Sequence, residues 1–219
     1  MEEIEKKPSP NLYKMFGKPS AQFELIDQNP RIWIPLLIIT IIYILATTTK
    51  ALLIRVEDLM LPGMTMEEGE FVLATAKAFV AISGFFIPIF SILIQSFVLY
   101  IIIKIFKKST TFKQLFSMNT YISIISAMGL LVNNVLFTVT DGNNNGYLMT
   151  SLSGMFNNQS SILGSIELFS IWEYILIAIG LQKVGKLSKS VSILIIILFF
   201  LFRIGVAWIN TTLSTYLGF

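Results

Sequence analysis

LGSIELFSIWEYILIAIGL, residues 163–181, is followed at once by QKVGKLSK, residues 182–189, and whether this apolar run crosses a bilayer decides the architecture of the chain. It comes close to the ~20 residues that a helix needs to cross ~30 Å of hydrocarbon. It also holds Glu167 and Glu173, and a charged side chain at mid-span costs about 2.5–3.5 kcal/mol. If the run stayed on one side, Lys183, Lys186 and Lys189 would stand outside beside the next apolar run, against the retention of positive charge in the cytoplasm. Crossing is the better reading.

Four further apolar runs flank it, so that spans are predicted at about 32–52, 78–103, 115–139, 163–182 and 190–215. Lys6, Lys7, Lys14, Lys18 and Arg31 precede the first span. Lys104, Lys107, Lys108 and Lys113 separate the second from the third, and Lys183, Lys186 and Lys189 the fourth from the fifth. These gaps hold twelve of the sixteen basic residues. The 53–77 connection has only Lys50, Arg55 and Lys77 in or beside it, diluted by acids, while the 140–162 connection and the C-terminal tail have none. The predicted fold class is an all-α integral membrane protein. It is a bundle of five transmembrane helices over residues 31–219, with the N-terminus cytoplasmic and the C-terminus extracellular, preceded by a cytoplasmic segment, residues 1–30.

The 219 residues are 54% apolar, enough for one such bundle and too apolar for a soluble domain. The net charge of +3 follows from the basic loops and leaves no stripe suited to nucleic acid. Cysteine and histidine are absent, which removes disulfides, thiolate nucleophiles, the usual zinc sites and imidazole bases. No P-loop is present. No catalytic residue, metal site or cofactor is expected, and the first run, preceded by about thirty mostly polar residues, should stay as an anchor rather than a cleaved signal.

Residues 1–10 read as disordered. Leu12, Met15, Phe16, Phe23, Leu25 and Ile26 lie among lysines, divided by Pro19 into two short pieces. These pieces suit either an interfacial amphipathic helix or a juxtamembrane linker. Pro30 and Pro35 mark the start of the first span, with Trp33 as an interfacial aromatic. Thr65 and Glu68 read as a capping box that starts a helix leading into the second span. Residues 141–146 are turn-rich, and Leu148, Leu152, Met155 and Phe156 recur at the spacing of a short helix.

Three full charges lie inside the predicted spans: Glu167, Glu173 and Arg203. Counted from the basic ends at about 1.5 Å per residue, Glu173 lies roughly 15 Å deep, Arg203 about 21 Å and Gln95 roughly 14 Å. Helical side chains lean toward their own N-terminus, so Glu173 and Arg203 should converge. An ion pair between them, with Gln95 as a third member of a polar network, is expected. Glu167, about 24 Å deep by the same count and leaning the other way, should reach the outer interface. Fixing helix register is the commoner role for such a pair, and transport or proton relay the rarer one. Glu167 and Glu173, six residues apart on one helix, should point about 120° from each other, too divergent for a catalytic pair. Asn133, Asn134 and Asn210 read as interhelical hydrogen-bonders.

Three segments together resemble the YIP-domain (Ypt/Rab-interacting protein) family in its bacterial branch. They are Pro19–Phe23 leading to Asn29-Pro30-Arg31-Ile32-Trp33-Ile34-Pro35, then Thr111-Phe112-Lys113-Gln114-Leu115 running on to Tyr121, and Phe169-Ser170-Ile171-Trp172 followed by Gly180-Leu181 and Gly185 to Lys189. The resemblance implies a five-helix membrane protein without enzymatic activity, embedded in the cell (plasma) membrane. It further implies an accessory role beside another membrane complex, an ABC-type peptide or toxin exporter, in its assembly or in peptide resistance. Self-association is compatible with that role. The alternative is a small transporter or channel that uses Glu173 and Arg203.

Overall fold

The computed structural model describes residues 8–140, 148–158 and 160–217, and their regular structure is helical apart from one isolated bridge between Ser151 and Glu167. The helices are α1 (Pro19–Gln28), α2 (Trp33–Leu53), α3 (Met66–Ile105), α4 (Phe112–Val139), α5 (Leu152–Phe156), α6 (Ser161–Ser165), α7 (Leu168–Lys183) and α8 (Lys189–Leu217). Four stretches are long and apolar enough to cross a membrane: Trp33–Leu53, Met66–Ile105, Phe112–Val139 and Lys189–Leu213. The run at 163–182 is not one of them. It is divided at Ile166 and Glu167, whose backbones are extended, and leaves α7 with 16 residues, about 24 Å of helix.

The starts of the long helices follow from local chemistry. Pro19 occupies the first turn of α1, where its missing N–H is no loss. Thr65 and Glu68 form the expected capping box of α3, and Thr111 with Gln114 forms a second one at the start of α4. At 40 residues α3 measures about 60 Å, twice the hydrocarbon thickness. Its acidic first turns therefore stand beyond the apolar part.

The core forms around α4. It packs against α2, α3, α7 and α1, while α8 packs on α7 and α6. Residues Leu115 through Ile125 of α4 are all buried, as expected of a helix enclosed on every side. Between apolar helices in lipid the approach of backbones matters more than water exclusion. A Cβ on Gly84 of α3 would lie 2.1 Å from Thr47 Oγ1 and 2.9 Å from the Ile44 Cα of α2. One on Gly180 of α7 would lie 2.6 Å from the Met118 sulfur of α4.

The N-terminal residues are more ordered than expected. Residues 1–7 and the turn-rich 141–146 lie outside the described residues, but Pro10 is buried and its carbonyl accepts from the Tyr121 hydroxyl at 3.1 Å. A 3-10 turn at Tyr13–Met15 follows. Phe23 and Ile26 of α1 are completely buried in the core, so the bundle itself occupies the apolar side that α1 could have turned to a headgroup layer.

Candidate functional site

Ser and Glu side chains inside apolar helices must find donors and acceptors within the protein, because lipid supplies none. Around Glu173 they do. Gln95 Nε2 of α3 donates to Glu173 Oε1 at 3.3 Å, and the Ser126 hydroxyl of α4 donates to Oε2. Tyr43 of α2 lies against Ser126. Glu173, Ser126, Tyr43, Asn133, Glu167 and Ser170 line a cavity of about 290 Å³ between α2, α3, α4 and α7.

Glu167 is 3% exposed and does not reach out to an interface. It is the N-cap of α7, taking the Phe169 N–H at 3.0 Å on Oε1 and the Ser170 N–H at 2.7 Å on Oε2. The Thr150 hydroxyl adds a bond at 2.6 Å, and Asn133 in turn donates to Thr150 Oγ1 at 2.8 Å. A carboxylate at a helix N-terminus satisfies orphan N–H groups and suits the helix dipole. The 120° divergence from Glu173 assumed one continuous helix. With Glu167 at φ −126° and ψ 137° the helix begins after it, and both carboxylates line the same cavity.

Arg203 does not form the expected ion pair. Lys183–Glu24 and Lys186–Asp27 form ion pairs at the basic end, whereas no contact within 4.0 Å joins Glu173 to Arg203, whose charge acts on that carboxylate only from farther off. Depth along the axis was countable from the sequence, but direction around it was not. Tyr174, the next residue, faces α8 through an edge contact with Phe200 at 6.2 Å, which turns Glu173 toward α3 and α4. Ser126 was not singled out beforehand, since a serine in a helical apolar run carries no mark of its partner. Asn133 reaches the Thr150 loop and Asn134 donates to the Ala46 carbonyl of α2 at 2.6 Å.

No group of three or more acidic, histidine or cysteine residues that could hold a metal occurs among the described residues. The Yip1 domain matches residues 13–209, from the N-terminal 3-10 turn to the last turns of α8. The chain belongs to the Yip1 family. Membrane protein YknW of Bacillus subtilis (strain 168) is 35% identical over 191 residues, which cover 83% of this chain and 81% of that protein. No solved structure matches.

The Yip1 domain thus contains the whole cavity and Arg203, and also a second polar cluster at the basic end of the bundle. There Lys183 pairs with Glu24 at 2.5 Å and Lys186 with Asp27, while Gln114 Nε2 donates to the Asp27 carbonyl at 2.8 Å. Thr110 Oγ1 donates to the Val184 carbonyl at 2.8 Å. The Lys183 ammonium holds the Glu24 carboxyl below its ordinary range. In this Yip1-family protein α1 is therefore tied to the α7–α8 connection as well as packed on α7.

Proposed function

We propose that this Yip1-family membrane protein is a non-enzymatic accessory subunit of the cell membrane that binds and supports another membrane complex, an ABC-type peptide or toxin exporter. In this reading α7 is a short fifth span, the N-terminus is cytoplasmic and the C-terminus extracellular. The observation that carries it is the state of the interior carboxylates: Glu167 and Glu173 are held by hydroxyl, amide and backbone donors of their own bundle, as in a scaffold whose work is done on its surface. The exporter as partner rests on the family resemblance. Affinity capture of the full chain from mild detergent should recover exporter subunits, and recovery of the chain always alone would remove the reading. Tags at the N-terminus and in the Lys104 to Lys113 loop should be protected in intact cells, whereas a tag near Asn144 or after Phe219 should be reachable.

A second reading is favoured by the cavity. Its two carboxylates and about 290 Å³ suit a small transporter. Flux in proteoliposomes that disappears with Glu173→Gln would replace the accessory role with this one.

A further inference from the structure

A groove of about 490 Å³ opens at the basic end of the bundle, between the N-terminal segment, the start of α2 and the flank of α4. Arg31 lines it just ahead of α2, and Ile34 and Ile38 continue the same wall along that helix, with Ile124 of α4 opposite. Seven residues separate Arg31 from Ile38, about 10 Å of helix. The groove therefore runs from a cation to a wholly apolar stretch.

Its level in the membrane follows from its neighbours. Trp33 is 81% exposed and Tyr13, which also lines the groove, 82%, as aromatics at a bilayer surface are. The Arg31 carbonyl accepts from the Ser117 hydroxyl of α4 at 2.7 Å, which sets Arg31 beside the basic start of that helix. Arg31 is thus at the level of headgroups, and Ile38 lies within the hydrocarbon. Among the described residues no acidic side chain lines the groove. Glu24 and Asp27, the acids that precede it on α1, pair with Lys183 and Lys186. The charge of Arg31 acts on the Tyr121 hydroxyl, which donates to the Pro10 carbonyl. The first turn of α2, which no side chain caps, adds the positive end of its dipole.

We propose that this groove binds an anionic phospholipid of the leaflet at the basic end. Its phosphate takes the Arg31 guanidinium, and one acyl chain lies along Ile34, Ile38 and Ile124. Paired N–H donors match phosphate oxygens, and the chain of a lipid already in the leaflet covers isoleucines that a free phosphate would leave bare. A zwitterionic headgroup would bring an ammonium to a place with no acid to receive it. A partner helix, about 10–12 Å across, is too wide for 490 Å³ spread over that length. The site goes beyond both functional readings and is independent of which one holds.

The test uses the full chain in mild detergent with phosphatidylglycerol that carries a photoactivatable diazirine in one acyl chain, and adducts are located by peptide mass spectrometry. They should fall on Ile34, Ile38 and Ile124. Unlabelled phosphatidylglycerol should compete about tenfold better than phosphatidylcholine, the preference that one charge-assisted bond gives. Arg31→Lys should keep part of that preference, and Arg31→Gln should lose it at an unchanged melting temperature. Ile38→Trp fills the apolar part with the charge in place and should cut the adducts on Ile124 severalfold, which decides the matter even if Arg31→Gln does not fold. Adducts outside the groove, equal competition by the two lipids, a preference that survives Arg31→Gln, or an Ile38→Trp chain labelled as before each overturns the proposal. Inorganic phosphate that competes as well as phosphatidylglycerol would reduce the groove to a phosphate site. A tenfold gain in labelling on removal of residues 1–7, which hold Glu2, Glu3 and Glu5, would assign it to that acidic segment instead.

Discussion

α4 and α8 have 28 and 29 residues and similar apolar content, yet they play opposite parts. α4 is buried throughout Leu115–Ile125, and several of its polar residues bond outward to the rest of the protein while Thr120 and Ser123 bond within the helix. Ser117 reaches the Arg31 carbonyl, Asn119 reaches Ser96, Tyr121 reaches Pro10, Ser126 reaches Glu173 and Asn134 reaches Ala46. α8 packs chiefly on α7 and α6, and its Ser192 and Thr212 hydroxyls bond carbonyls four residues back along the chain. Length and hydropathy put a helix in the membrane. The placing of small polar side chains decides whether it becomes an axis or a flank.

The largest effect that would sharpen this contrast is truncation of a large side chain on each helix. Tyr121→Ala removes a ring 2% exposed together with its bond to Pro10 and should lower stability by about 3–5 kcal/mol. Phe202→Ala removes a ring 74% exposed and should stay within about 0.5 kcal/mol. Denaturation in a mild detergent measures both, and equal losses would erase the distinction. Next comes Gly84→Leu, which drives a branched side chain into the α2 backbone and should cost about 1–3 kcal/mol. Gly205→Leu on α8, where a Cβ meets nothing within 4 Å, should be tolerated.

A smaller effect separates the two ends of α7. Glu167→Ala removes the cap of α7 and should cost about 0.5–2 kcal/mol. The smallest concerns pH. The Glu24 carboxyl is held below its ordinary value of 4.5, first by its bond to Lys183 and then by that residue's charge. A lowered folded value means that the contribution is complete above the ordinary value and is lost as pH falls through the folded one. Docking of α1 should therefore loosen on acidification, read as faster hydrogen exchange over Phe23–Ile26. Glu24→Gln should remove that pH dependence, and an unchanged profile in the variant would show that the pair contributes nothing.

Much of the fold was legible before the structure. Apolar runs and lysine spacing located the long helices, Thr65 and Glu68 marked the start of α3, and Pro19 divided the N-terminal segment where α1 begins. The break at Glu167 was not legible, because its capping role depends on Thr150 and Asn133 from elsewhere in the chain. The α3 side of the site was anticipated in Gln95, whereas Ser126 was hidden among similar serines. Glu173 and Arg203 share no contact within 4.0 Å, and the reason is geometric. Residue counting fixes height along an axis, but the face on which α8 settles is set by Tyr174 against Phe200, a contact with no signature in either helix alone.

The tie between α1 and the α7–α8 connection has a consequence in time. Glu24 and Lys183 are 159 residues apart in the chain, as are Asp27 and Lys186. At ~5–20 residues per second of synthesis, the partners of α1 emerge roughly 8–30 s after α1 itself, although a helix of its size forms within about a microsecond. During that wait Phe23 and Ile26 have no α7 to cover them. α1 is thus made long before the partners that seat it, so a ribosome that stalls before residue 183 exposes it to whatever chaperone or protease surveys unfinished membrane proteins.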